Sequence, residues 1–161
     1  MRTPFFWLCG AAIVAAVSGV GQPKRGSLEG VWQAVEVKHT GDHPMTITPG
    51  PNLTLFSAKH YSRIDVQSAK PRPSLANPAS ATAEQLREVW GPLVAEAGSY
   101  EIDGNLVTLR PIVSKNPAAM APDAAIAYSY QVTGDTLMLR AEREFNGPVT
   151  QPFTVKLTRV E

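Results

Sequence analysis

The clearest hydrophobic pattern in the chain occurs twice. Ser99-Tyr100-Glu101-Ile102-Asp103-Gly104-Asn105-Leu106-Val107-Thr108-Leu109-Arg110 is matched further on by Ser129-Tyr130-Gln131-Val132-Thr133-Gly134-Asp135-Thr136-Leu137-Met138-Leu139-Arg140. Each copy alternates apolar and polar residues on both sides of a glycine-containing pair. That is the signature of a β-hairpin with a two-residue turn, where glycine supplies a positive φ. Turn length sets register. With Gly104-Asn105 as the loop, Ile102 faces Val107 and Tyr100 faces Leu109; in the second copy Val132 faces Leu137, Tyr130 faces Leu139 and Tyr128 faces Ala141. These residues share one face, which is expected to be buried. Arg110 and Arg140 pair with Ser99 and Ser129 on the opposite, wet face.

The same alternation predicts strands over 31–38, 53–58, 61–66 and 153–160. Four more come from the repeat, the first beginning near Glu96 and the others over 106–113, 125–133 and 136–142. One helix is expected over 83–90, because Thr82 and Gln85 form a capping-box pair and Leu86, Val89, Trp90 and Leu93 lie on one stripe. Long connections at 39–52, 67–95, 114–124 and 143–151 alternate with short ones at 57–60, 104–105 and 134–135. In an up-and-down meander alternate connections lie at opposite ends, so all the long ones gather at one end. The expected fold is all-β: an eight-stranded antiparallel up-and-down β-barrel with a tight floor, an elaborated mouth and one short helix in the mouth connection.

A chain of 161 residues has room for one domain of ordinary size, and 43% hydrophobic with 18% charged residues suits a folded protein rather than a disordered one. No apolar run is long enough for a polytopic membrane protein. The net charge is +1, and removal of Arg2 would leave no broad basic face, so nucleic acid is not an expected partner. Arg2, the apolar stretch from Phe5 to Val20 and small residues around Ser18 to Gly21 follow the order of a secretory signal peptide, expected over 1–21. A flexible arm at 22–27 and the barrel domain at 28–161 come after it, and no stable membrane insertion is expected once the leader is cleaved. Cys9, the only cysteine, falls in that leader, so the domain uses no disulfide even though a periplasmic or secreted location permits them.

The first strand opens with Leu28-Glu29-Gly30-Val31-Trp32, a Gly-x-Trp motif. Further segments are His60-Tyr61-Ser62-Arg63, Trp90-Gly91-Pro92, Gly98-Ser99-Tyr100-Glu101, Leu109-Arg110-Pro111 and Ser114-Lys115-Asn116-Pro117. Together they make the stretch 28–161 resemble the bacterial lipocalin-like domain family of exported proteins. The resemblance implies a calycin-type eight-stranded barrel and a general capacity for small apolar ligands, with no settled substrate. In lipocalins an arginine near the end of the last strand lies across the Gly-x-Trp tryptophan, and Arg159 matches that position. The alternation of Phe153, Val155, Leu157 and Arg159 independently turns the arginine to the apolar side. Gly30, Trp32 and Arg159 are therefore expected to form the structural floor of the barrel, held by a cation–π contact.

Tyr100, Tyr128 and Tyr130 are expected to face inward together, either as ligand contacts or as core packing; a buried tyrosine hydroxyl takes a partner from ligand, water or backbone. Trp90, on the helix stripe, is either a lid over the cavity or a plug over the core. Tyr61, Arg63 and Asp65 share one face of their strand, while Ser62, Ile64 and Val66 share the other. An inward Arg63 would hold a carboxylate head group. Apolar Ile64 and Val66 favour the reverse orientation, with Arg63 and Asp65 in solvent. Glu96, Glu101 and Asp103 are placed on the outer face.

His39-Thr40-Gly41-Asp42-His43 reads as a polar loop rather than a metal site, and no cofactor is expected. Asn52-Leu53-Thr54 would be a glycan acceptor only in a eukaryotic secretory route. No nucleophile elbow, catalytic cysteine or phosphate-binding glycine loop occurs. The expected function is an exported binding protein for a small apolar molecule. One alternative is a protein-interaction or inhibitor module acting on an envelope protein through Lys24-Arg25 or the mouth loops. The other is a barrel isomerase or cyclase, which needs a buried acid or base in the lumen.

Overall fold

A computed structural model describes residues 27–68 and 70–160. The expected leader and arm residues 22–26 lie outside them. Along the chain come β1 (Gly30–His39), short β2 (Met45–Ile47), β3 (Asn52–Phe56), β4 (His60–Val66), β5 (Leu93–Asp103), β6 (Leu106–Ser114), β7 (Ile126–Thr133), β8 (Thr136–Glu144), two-residue β9 (Gly147–Pro148) and β10 (Phe153–Arg159). The wall runs β10-β1-β3-β4-β5-β6-β7-β8, every neighbour antiparallel. Pairing of β10 with β8, from Thr154↔Arg140 to Thr158↔Thr136, closes it. The eight-stranded antiparallel barrel read from the alternation is present. β2 and β9, which the alternation does not signal, are short extensions paired to β1 and β8 within mouth connections.

Both repeat hairpins adopt the register that their turns dictate: Tyr100↔Leu109 and Ile102↔Val107 in one, Tyr128↔Ala141, Tyr130↔Leu139 and Val132↔Leu137 in the other. Gly104 (φ 59°) and Gly134 (φ 58°) have positive φ, and among the described residues only glycines do. Only the first central residue of each turn is thus left-handed, the type II′ geometry whose twist matches the flanking strands. Val107, Leu109, Tyr128, Leu137, Leu139 and Ala141 are buried as expected. Ile102 is not: it is 48% exposed, because it sits at the tip of its hairpin, where the wall ends.

Helix α1 (Ala83–Trp90) begins with the expected reciprocal capping box: the Thr82 side chain accepts from the Gln85 N–H, and Gln85 accepts from the Thr82 N–H. At its other end the Lys115 ammonium donates to the carbonyls of Trp90, Gly91 and Leu93, placing a cation on the negative pole of the helix. This ties the longest connection to β6. No helix among the described residues is long and apolar enough to cross a membrane.

The tight turns mark the floor. There Trp32 is fully buried and its Nε1 donates to the Leu28 carbonyl at 2.8 Å. Trp32 and Arg159 are cross-strand partners, with the guanidinium carbon 4.1 Å from the indole ring centroid. The same guanidinium donates to the carbonyls of Glu29 (2.7 Å) and Ser27 (2.9 Å), so residues 27–29 form a strap across the bottom. Gly30 (φ 137°) turns the strap into β1 through a conformation that side-chain-bearing residues rarely adopt. The expected floor is thus present in all three of its residues.

Replacing Arg159 by methionine keeps the hydrophobic bulk but removes the cation–π contact and two charge-assisted hydrogen bonds. It is expected to lower unfolding stability by about 3 kcal/mol. The check is the urea midpoint at unchanged m-value; a loss below about 1 kcal/mol would mean that Trp32 holds the strap without Arg159.

Candidate functional site

Above the floor the barrel is hollow. A cavity of about 930 Å³ is lined from all eight wall strands, with Val37, Phe56, Leu109, Ile126, Leu139, Phe153 and Val155 among its apolar contributors. Its rim takes Ile47 to Pro49, Gln67, Ser68, Gly91, Lys115, Asn116 and Phe145, so each of the four long connections contributes and none of the tight turns does. The segregation of loop lengths therefore places the opening, as expected. The size lies within the range of pockets that enclose a small organic ligand.

One polar cluster interrupts the apolar wall. Antiparallel pairing of β4 with β5 sets Arg63 opposite Glu96 and Tyr61 opposite Gly98, where a side chain would run into the Arg110 carbonyl of β6. Arg63 Nη1 donates to the Tyr128 hydroxyl at 3.3 Å, and Nη2 lies 3.5 Å from Glu96 Oε1. The Arg63 side chain is 26% exposed and that of Glu96 4%. Among the described residues no well-formed hydrogen bond reaches the Tyr61 hydroxyl, Arg63 Nε or Glu96 Oε1, although the Tyr61 hydroxyl lies close enough to Glu96 for the carboxylate to act on it. Burial pushes the Tyr61 hydroxyl well above the usual tyrosine range, and the Glu96 carboxylate pushes it further, with Arg63 opposing. Burial works against the Arg63 charge, but Tyr128 and Glu96 outweigh it and hold the guanidinium above its usual range.

Two expectations are corrected here. β4 takes the orientation opposite to the favoured one: Tyr61, Arg63 and Asp65 line the lumen, while Ile64 is 54% exposed. The reason lies across the strand boundaries, where Glu96 and Tyr128 partner the guanidinium. Glu96, read as an outer-face residue with Glu101 and Asp103, is buried inside. Its signal was present, since it shares the even-numbered side of β5 with Tyr100, whereas Glu101 and Asp103 occupy the other side.

The remaining candidates separate by depth. Tyr128 lies in the cavity wall. Tyr100 and Tyr130 face inward but pack, partly buried, on the core below it, outside the cavity lining. The Tyr100 hydroxyl donates to the Ser57 carbonyl at 2.6 Å and its ring meets Phe56 edge-on at 5.4 Å, so the backbone meets its hydrogen-bonding need. Burial, then Glu29 and Tyr130, raise its pKa. Trp90 is 52% exposed and outside the lining; neither lid nor plug describes it, because Lys115 holds the end of α1 at the rim, where Gly91 contributes instead.

Asn52 serves the scaffold. Its side chain accepts from the Ala34 N–H (2.6 Å) and donates to the carbonyls of Ala34 and Gly50, bridging β1 at its bulge. Its amide nitrogen is committed to that bridge. His39 lines the lumen with its ring 5.7 Å from Phe153, and among the described residues no three His, Cys, Asp or Glu side chains converge as metal ligands.

The fold and site define a class: a closed eight-stranded barrel with a hollow, mostly apolar interior bearing one buried ionic cluster. No protein-family model matches the chain, and no match is found among curated proteins. Among solved structures, an uncharacterised protein from Bacteroides eggerthii DSM 20697 is similar over 83% of this chain and 99% of its own, at 8% sequence identity and a TM-score of 0.44. A likeness that distant carries no inference about function.

The Tyr61 shift has a pH consequence. Its folded pKa lies above the unfolded value of 10.0, so the folded state keeps the proton longer. The associated stability is complete below about pH 10 and is lost as pH rises, by about 1.4 kcal/mol per pH unit. Tyr61→Phe is expected to remove about 1.4 kcal/mol of the stability lost between about pH 9 and about pH 11 when denaturant midpoints are compared. Identical slopes in the two proteins would contradict a buried, proton-holding Tyr61.

Proposed function

We propose that this protein is an exported, lipocalin-like binding protein that holds one small, largely apolar molecule inside its barrel. The carrying observation is the cavity of about 930 Å³, apolar on most of its wall and rimmed by residues of the long connections. Affinity would come mainly from apolar burial, roughly 25 cal/mol per Å² before ordering costs, while the Arg63 cluster orients the guest. The Gly30–Trp32 motif and its Arg159 partner support the family reading; the leader sequence supports a periplasmic or secreted location.

A second reading, a barrel isomerase or cyclase, is favoured by one observation. The lumen contains a carboxyl group, Glu96, that acts on the nearby Tyr61 hydroxyl, so two proton-bearing groups of the kind such a reaction needs meet inside the barrel. The two readings differ in the fate of the guest: a carrier returns it unchanged on solvent extraction, and an enzyme returns an isomer.

The neutral fluorophore N-phenyl-1-naphthylamine is expected to bind saturably at one site. Val155→Trp, which fills the lumen, is expected to weaken it by about tenfold or more, roughly 1.4 kcal/mol. Arg110→Ala, on the outer wall, serves as the control that leaves binding intact. Absence of saturable binding to the unaltered protein, or equal affinity for Val155→Trp, would remove the cavity-binding reading.

A further inference from the structure

The ionic cluster is only partly satisfied. Arg63 makes one hydrogen bond among the described residues, to Tyr128, while its Nε, Glu96 Oε1 and the Tyr61 hydroxyl lack a well-formed hydrogen bond. Buried charges placed this way in an apolar chamber destabilise unless further hydrogen bonds complete them. A guest that supplies those bonds would bind with more than its apolar surface.

The charge of the lining narrows the chemistry of that guest. Its cations are Arg63 and Lys115; its carboxylates are Asp65, Glu96 and Glu144. Lys115 is committed to the carbonyls at the end of α1. The Arg63 charge already faces Glu96. An anionic head group would set a second carboxylate beside that pair, two anions sharing one cation in a poorly solvated space. A cationic head group would meet Arg63. An uncharged group with both an acceptor and a donor avoids both repulsions. Its oxygen accepts from the guanidinium, and its N–H or O–H reaches Glu96 or Tyr61.

Resting on the cavity-binding reading, we infer that the lumen selects amphiphiles with an uncharged donor–acceptor head, a primary amide or an alcohol, over the fatty-acid anion of equal chain length. This reverses the head-group chemistry that an inward arginine alone would suggest, because Glu96 stands beside it.

The test is displacement of N-phenyl-1-naphthylamine from the purified protein by decanamide, 1-decanol and decanoate, at a pH where decanoate is ionised. Decanamide and decanol are expected to displace the probe at about tenfold lower concentration than decanoate. Glu96→Gln, nearly isosteric, is expected to close most of that gap by improving decanoate. Decanoate displacing as well as the neutral pair would overturn the head-group inference and leave the cavity reading standing. So would displacement by none of the three while the probe remains bound, or a gap that Glu96→Gln leaves unchanged. Failure of the probe itself to bind would strike the cavity reading instead. The ranking on the unaltered protein decides the inference even where the variant does not fold.

Discussion

A guanidinium laid over an indole ring decides where this barrel is solid and where it is hollow. Arg159 ends the last wall strand and Trp32 lies near the start of the first, so their contact joins the two chain ends of the wall at one level. The hydrogen bonds from Arg159 to Ser27 and Glu29 then draw the strap over the opening that would otherwise remain. With Trp32, Leu28, Val107 and Leu137 packed behind it, little unfilled volume remains at that end. Farther up β1 the inward residues are Ala34 and Val37, which leave the upper barrel open.

Closure at the floor gives the rest of the structure its polarity. Strand pairing alternates the connections between the two ends, and type II′ turns keep two of the three tight floor connections short. The four long connections therefore share the mouth, where Lys115 ties the α1 segment to the wall and Asn52 bridges the bulged stretch of β1. Both side chains do backbone work, supplying donors and acceptors where strand neighbours are missing. The rim is built by hydrogen bonding, and the lumen beneath it stays free of loop residues that would fill it.

Inside, the Arg63–Glu96 pair sits where an aliphatic residue would cost less. Buried ion pairs often contribute little to stability relative to apolar substitutes, and this cluster leaves three polar atoms without a well-formed hydrogen bond among the described residues. Under the proposed binding function, a cluster of that kind serves the guest rather than the barrel. The same low dielectric that lifts the Tyr61 pKa sharpens any discrimination between charged and neutral guests.

Local pattern was enough for most of the architecture. The hairpin register of 99–110 and 129–140 was legible because period-two alternation and a turn glycine act within a dozen residues. The α1 cap was legible because Thr82 and Gln85 satisfy each other directly. Arg159 announced itself by breaking an apolar alternation. The site was less legible. Alternation on β4 separates Tyr61, Arg63 and Asp65 from Ile64, but it does not say which set faces in; Glu96 and Tyr128 decide that from strands far along the chain. Likewise the distance of Tyr100 and Tyr130 from the cavity follows from how deep the floor core rises, and the exposure of Trp90 from where Lys115 pins its helix. The sequence by itself determined the strands, their pairing and the closed end, since those depend on neighbouring residues and turn length. Only the tertiary structure decided which polar side chains the lumen contains, because the energy of a buried charge is set by partners brought in from other strands.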